Sequence, residues 1–360
     1  MKRLNLFKTL AVSIGISVIT PVFSGNPDRA GEAGASELLI NPWALSSGYA
    51  GANSSNVVGL EAMHLNVAGM AFTPKTELMF VHKRYLVGSD ININSFGFTQ
   101  KAGESGVIGL SVMSLNFGEV DITTVNKPEG GVGTFSPSYM NIGVSYAKEF
   151  SNSIYGGITV KIISESISNV KAQGTAFDAG IRYVTGENDQ VKFGIALRNV
   201  GPAMKYSGDG LAFINTDDNG VTSTQEHRSS NFELPSLLNI GFSYDFYVAP
   251  QVDSTGETIQ SKHRITPAFT FTSNSFTKDQ YRIGVEYSLK EMFMLRGGYV
   301  LEDGTWFDST KRTSAFTGPT AGLSFQAPLN KKGSTFRIDY AYEFTNPFNG
   351  THSIGARINL

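Results

Sequence analysis

The sequence predicts an all-β fold: a fourteen-stranded antiparallel transmembrane β-barrel with a short helical N-terminal plug. Three observations carry this. Residues Thr351 to Leu360 alternate without a miss, with His352, Ile354, Ala356, Ile358 and Leu360 on one face and Thr351, Ser353, Gly355, Arg357 and Asn359 on the other. An apolar residue at the end of such a run is the pattern expected of the closing strand of an outer-membrane barrel. Further segments of the same period fill the chain after about Pro74, and a leader-like stretch opens it.

Lys2, Arg3 and Lys8 precede an apolar stretch from Leu10 to Val22, followed by Ser24 and Gly25, the pattern of a secretory signal peptide over residues 1–25. No later segment has the roughly 18 to 20 continuous apolar residues of a membrane helix. Zero cysteines exclude a disulfide framework, thiolate metal sites and thiol catalysis. The chain holds 39 glycines, 25 phenylalanines and 14 tyrosines, yet its mean hydropathy is only -0.09. A barrel gives this balance, because half of each strand faces lipid and half a polar lumen. A net charge of -2, with no basic run after the leader, argues against a nucleic-acid partner.

Period-two segments fall near 77–86, 91–101, 106–117, 138–149, 152–166, 173–185, 190–199, 235–248, 262–273, 279–289, 292–301, 317–327, 333–345 and 351–360, an even number of strands. Charges keep to one face. Phe336, Ile338, Tyr340, Tyr342 and Phe344 oppose Arg337, Asp339, Ala341 and Glu343; Tyr281, Ile283, Val285, Tyr287 and Leu289 oppose Arg282, Gly284, Glu286 and Ser288. A soluble two-sheet protein also alternates, but its strands average about five or six residues, while a tilted membrane strand needs about ten. The longest connections, Gly118 to Pro137 and Val200 to Leu234, follow odd-numbered strands and belong outside the cell. Ala249 to Ser261 reads as an unusually long periplasmic turn.

Residues 26–74 are not strand-like and form the plug segment, leaving 75–360 as the barrel. Glu32 to Ile40 and Gly59 to Met70 show helical spacing, broken by Asn41-Pro42 and Gly48 to Ser55. The run from Gly34 through Asn41-Pro42-Trp43-Ala44-Leu45, then Gly48 to Asn53, then Glu61 to Ala71, resembles the opening of the PorV/PorQ family of Bacteroidota, itself similar to the FadL long-chain fatty-acid transporters. Phe135-Ser136-Pro137, Tyr155-Gly156-Gly157 and Leu197-Arg198-Asn199-Val200-Gly201-Pro202 extend the resemblance. Asn66-Val67-Ala68-Gly69 departs from it, since many relatives carry proline after the asparagine. The resemblance implies an outer-membrane barrel, in contact with lipid, that works in the type IX secretion system by binding the translocon and the C-terminal signal domains of cargo. It assigns the barrel no bond-making step and no cofactor. Leu38, Leu39, Trp43, Asn66 and Gly69 would belong to the plug.

The residues themselves supply no catalytic constellation. The five histidines form no i, i+4 metal pair, no G-x-S-x-G elbow occurs, and Asp217-Asp218-Asn219-Gly220 reads as a surface turn. Strand phase points Lys161, Asp178, Arg182, Lys192, Arg198, Asp245, Arg282, Glu286, Arg337, Asp339, Glu343 and Arg357 inward, where mixed signs favour paired networks that hold the plug. Two functions then compete. A secretion barrel would bind partners through Phe135, Pro137, Tyr139, Met204, Tyr206, Leu211 and Phe213 at its outer loops. A FadL-like transporter of hydrophobic small molecules would need a greasy internal pocket and a lateral gap, whereas the predicted lumen faces are mainly Gly, Ser, Asn and charged.

Overall fold

The computed structural model describes residues 29–252, 258–302, 312–330 and 333–360; the expected leader lies outside them. Fourteen strands form one closed sheet: β1 (Thr76–Tyr85), β2 (Ile91–Ala102), β3 (Gly106–Asn116), β4 (Ser138–Ser151), β5 (Ile154–Ile167), β6 (Val170–Thr185), β7 (Val191–Val200), β8 (Leu237–Tyr244, continued as Phe246–Val252), β9 (Thr258–Asn274), β10 (Gln280–Leu289), β11 (Phe293–Glu302), β12 (Gly318–Pro328), β13 (Thr335–Glu343) and β14 (Thr351–Asn359). Neighbours in sequence pair antiparallel, and β14 pairs with β1 from Glu77↔Asn359 to Arg84↔His352. That ladder turns the sheet into a barrel, which satisfies the backbone without water.

The outward face is apolar. Val144 on β4, Ile158 on β5, Ile181 on β6, Leu295 on β11 and Ile354 on β14 all project outward and are exposed. In water so large an apolar surface would aggregate; in a bilayer it is the lipid contact. Aromatic residues gather at both ends of this belt: Phe150, Tyr183, Phe193 and Phe246 on the short-turn side, and Tyr281, Tyr299, Tyr340 and Tyr342 on the long-loop side. Such girdles mark the two membrane interfaces, and the long loops mark the outer one.

The plug runs inside the barrel from the outer end to the periplasmic end. Gly34 donates its N–H to Glu233 O at 3.0 Å in the outer β7–β8 loop, while Lys75, just before β1, accepts from Lys101 N at 2.7 Å. Its helices are shorter than the sequence spacing predicts. Single turns occupy Ser36–Leu39, Ala44–Gly48, Gly59–Glu61 and Ala62–Leu65, followed by a 3-10 stretch over Val67–Phe72. The lumen dictates this, because the plug must bend to touch every wall. Glycines on the inward faces make room. A Cβ at Gly180 would lie 2.2 Å from Asn66 Oδ1, one at Gly241 would lie 2.2 Å from Ser54 Oγ, and one at Gly48 of the plug would lie 2.8 Å from Gly322 Cα on β12.

Residues 249–252 and 258–261 are strand rather than part of the long turn that the sequence suggests; 253–257 lie outside the described residues. β8 resumes after Asp245 and keeps its ladder with β9 from Phe246↔Ile265 to Val252↔Thr258. The two strands therefore continue past the ends of β7 and β10 as a ribbon on the periplasmic side. Polar positions without strict alternation hid this continuation from the sequence reading.

We expect Val144→Arg, at mid-height of β4, to destabilise the barrel by about 2–4 kcal/mol, the cost of a basic side chain at the bilayer midplane. Reversible denaturant unfolding in lipid vesicles measures it. A value near zero would contradict the assignment of this face to lipid.

Candidate functional site

The wall meets the plug through buried ions. Glu61, at the foot of the plug, accepts from Ser46 N at 3.1 Å and forms an ion pair with Arg357 of β14. Arg357 also lies 3.4 Å from Glu77 on β1, whose other contact is Leu60 N of the plug at 2.9 Å. Higher up, Lys83 of β1 reaches Glu343 of β13 at 2.6 Å, Asn41 O at 2.6 Å and Ser47 Oγ at 2.8 Å. The closing seam between β1 and β14 is thus also the seam to which the plug is tied. Tyr49 is fully buried and donates to Thr266 O on β9. Burial holds its phenol neutral, its pKa pushed well above the ordinary value.

A second anchor sits across the barrel. Asn66 caps the 3-10 stretch by accepting from Ala68 N at 3.2 Å and donates its amide to Ile181 O on β6 at 3.1 Å. Gly69 cannot carry a side chain, since its Cβ would fall 2.0 Å from Val57 O. The Leu197 to Pro202 string makes the adjoining corner. Asn199 has φ +58° and is fully buried, with Lys161 at 2.8 Å, the carboxylate of Asp178 at 2.8 Å and Pro235 O at 3.1 Å as its partners. Lys161 and Asp178 are themselves paired at 2.5 Å. The β6–β7 register shifts beside Asp178, between Phe177 and Ala179, which brings its carboxylate to the corner.

These contacts divide the lumen. Above the plug lies a cavity of about 280 Å³ reached from the outer loops. Leu39, Ile40, Tyr85, Leu237, Val300 and Phe316 line its upper part, and Lys83, His64, Arg198, Arg282 and Glu343 its lower part. Arg198 Nη2 lies 3.0 Å from His64 Nε2 and 3.2 Å from Nδ1. Arg282 donates to Ala50 O at 3.2 Å and to Gln280 at 2.7 Å. Among the described residues lining it, three cations face a single acid. Burial and the surrounding Arg198, Lys161, Lys83 and Arg282 drive the His64 pKa well below its ordinary value, so the imidazole is neutral.

The other side of the cavity region is more apolar than its sequence pattern suggests. Ile93, Met113, Leu115, Tyr139 and Ile163 cover the inward faces of β2 to β5 near the outer end and pack with Leu38 of the plug. Small and polar inward residues dominate lower down, which masked this apolar upper third. Two residues expected at a partner-facing rim belong to the same cluster: Tyr139 and Met204 are buried, Met204 paired through its backbone with Phe232. Tyr206 is half-buried and donates to Glu165. Only Phe135, Pro137, Leu211 and Phe213 lie in the loops proper, half-buried, with Phe213 stacked 4.2 Å from His227. Asp217 accepts from Asn219 N at 2.9 Å and Val221 N at 2.8 Å as a surface turn does.

The inward charged set occupies the lumen wall, with Arg337 beside Asp339 at 3.2 Å and Glu286 between Arg296 at 2.5 Å and Arg264 at 2.8 Å. Sequence reasoning omitted Lys83, Glu61, Arg264 and Arg296, although strand phase alone places Lys83, Arg264 and Arg296 inward. Trp43, buried 2% exposed, packs among Leu60, Met63 and Met79. Neither hole in the wall nor frayed pair occurs at β3: it pairs fully with β2 from Asn92↔Asn116 to Ala102↔Gly106 and with β4 from Gly106↔Lys148 to Asn116↔Ser138.

No family model matches the sequence, and no curated protein matches it. Solved structures do match. A structure described as the CymD monoaromatic hydrocarbon channel aligns with a TM-score of 0.54 at 12% identity, over 89% of this chain and 97% of that one. The Pseudomonas putida toluene transporter TodX aligns with a TM-score of 0.50 at 12% identity, over 85% of this chain and 94% of that one. A Pseudomonas aeruginosa FadL homologue gives 0.49 at 13% identity, over 88% and 96%. At these identities the likeness to the first two establishes the fold. The chain is a plugged fourteen-stranded antiparallel barrel with the fold seen in bacterial outer-membrane proteins.

Glu61→Gln leaves Arg357 with a weaker set of partners, and we expect about 3 kcal/mol of destabilisation, partly restored in the double variant Glu61→Gln, Arg357→Gln. Denaturant unfolding in vesicles measures both. Unfolded chain binds a proton at His64 near pH 6.5, whereas folded chain does not. Protonation therefore favours the unfolded state, and stability present above pH 6.5 declines as the pH falls below it. His64→Gln should remove that component; an unchanged pH profile would show that His64 does not titrate in unfolding.

Proposed function

We propose that this barrel admits small hydrophobic molecules from the cell exterior into the cavity above the plug. One observation carries the reading: that cavity joins an apolar upper wall of Leu39, Ile40, Leu237, Val300 and Phe316 to a lower end with cationic Lys83, Arg198 and Arg282. Pockets of this kind bury an apolar body and orient it by a few polar groups. An acidic end group on the entrant would meet the cations; a purely apolar molecule would stop among the upper side chains. The likeness to hydrocarbon channels supports this direction, and it is drawn from their fold.

A secretion role keeps one observation in its favour. Val125 and Ile214, in the two longest outer loops, are 100% and 75% exposed, and Val132 and Val221 lie near them in sequence and are exposed too. Apolar residues on loop hairpins suit docking of a protein. That role otherwise rests on the resemblance of the plug segment to the PorV/PorQ family, and the type IX translocon and cargo signal domains are the partners it would require.

Vesicles containing the barrel should take up a labelled monoaromatic carboxylate or fatty acid faster than empty vesicles. Leu237→Asp places an unpaired carboxylate in the cavity at a cost of a few kcal/mol, and we expect uptake to fall more than tenfold with the barrel still folded. Equal rates with and without the protein would overturn the channel reading. Co-purification with a large translocon barrel or with secreted cargo would favour the secretion role instead.

A further inference from the structure

A second cavity, of about 440 Å³, lies on the periplasmic side of the plug, and hydrophobic uptake from outside does not use it. Asn188 and Asp189 of the β6–β7 turn and Glu291 of the β10–β11 turn border it, so it opens at the end opposite the long loops. Six cations line it: Arg182, Lys192, Arg264, Arg296, Arg337 and Arg357. Five of them have carboxylate partners. Lys192 pairs with Asp245, Arg264 with Glu286 and Glu291, Arg296 with Glu286, Arg337 with Asp339, and Arg357 with Glu61.

Among the described residues, Arg182 has no carboxylate in contact with it. It is 2% exposed, donates from Nη1 to Val57 O at 2.9 Å, and rests its guanidinium 4.2 Å from the centre of the Phe72 ring. Its Nε is buried without a partner, as are Arg337 Nη2 and Arg357 Nε. The carboxylates tell the opposite story: both oxygens of Glu61, of Asp245 and of Glu286 already accept hydrogen bonds. Among the buried charged groups of this cavity, the spare hydrogen-bonding capacity is therefore all of the donor kind. Asn56 adds an amide whose Oδ1 is unpartnered and which can present its NH₂ end instead. Asp189 stands at the exposed rim, where solvent screens it.

We propose that this cavity binds a small free oxyanion, a phosphate or a carboxylate, seated against Arg182. A buried guanidinium with no carboxylate in direct contact is costly, and an anion in a low-dielectric pocket supplies both a close counter-charge and charge-assisted hydrogen bonds. Arg182 holds the plug at Val57 and Phe72, so the same side chain joins the anion to the plug. A purely structural clamp would need those two contacts alone and would bind no anion.

The test uses the full barrel in lipid nanodiscs, titrated with inorganic phosphate and, separately, with succinate, and read by calorimetry. We expect saturable binding of at least one of them, weakened at least tenfold by Arg182→Gln and severalfold by Arg337→Gln. Lys171→Gln, which removes a positive charge from the outer surface, should leave it unchanged. A gel shift between unboiled and boiled protein confirms that each variant is folded. Preference for phosphate or for succinate identifies which oxyanion the site takes. Absence of saturable binding for both, or binding unaltered in folded Arg182→Gln, overturns the proposal; should that variant fail to fold, unaltered binding in Arg337→Gln overturns it.

Discussion

Within a bilayer a free strand edge has no water to satisfy it, and the β1–β14 ladder is the contact that removes the edge. Everything else in this molecule is arranged around that closure. A ring of fourteen strands encloses more space than its inward side chains can fill, so the lumen must hold either water or additional chain. Here the plug fills its middle. Inward glycines such as Gly180, Gly241 and Gly322 let the plug backbone approach the wall, and the ions Lys83, Glu343, Arg357 and Glu77 on the closing strands and their neighbour fix it there.

Burying so many charges is expensive, and the pairing explains how the fold tolerates it. Glu286 between Arg296 and Arg264, and Asp178 between Lys161 and Asn199, satisfy nearly all of their hydrogen-bonding groups. Such networks are weak arguments for stability but strong ones for position, because removing one member strands the other. The plug is thereby held at one height and divides the lumen into an outer, partly apolar cavity and an inner, donor-rich one. Cationic surplus occurs in both: Arg198 and Arg282 above, Arg182 below.

Much of this architecture was legible in the sequence, since a strand that faces lipid on one side and a lumen on the other must alternate, and a misplaced charge on the lipid side is costly. Phase alone located Arg182, Glu286, Asp339 and Arg357 on the wall. What stayed hidden depended on three-dimensional pairing. One ion partner of Arg357, Glu61, is distant in sequence and in a segment without strand phase. Tyr139 and Met204 looked like loop-edge anchors because aromatic and sulfur side chains serve both uses; only the placement of β4 and the β7–β8 loop turns them inward. The continued β8–β9 ribbon escaped because residues outside the membrane carry no alternation to read.

On the proposed function, a plug fixed by buried ions and a cavity that ends on it belong to a barrel that admits hydrophobic molecules without being an open pore. The most direct measurement combines steady ion conductance across planar bilayers with flux of a labelled monoaromatic compound through the same reconstituted protein. The account predicts saturable aromatic flux with negligible steady conductance. Large steady conductance accompanied by no aromatic flux would contradict it.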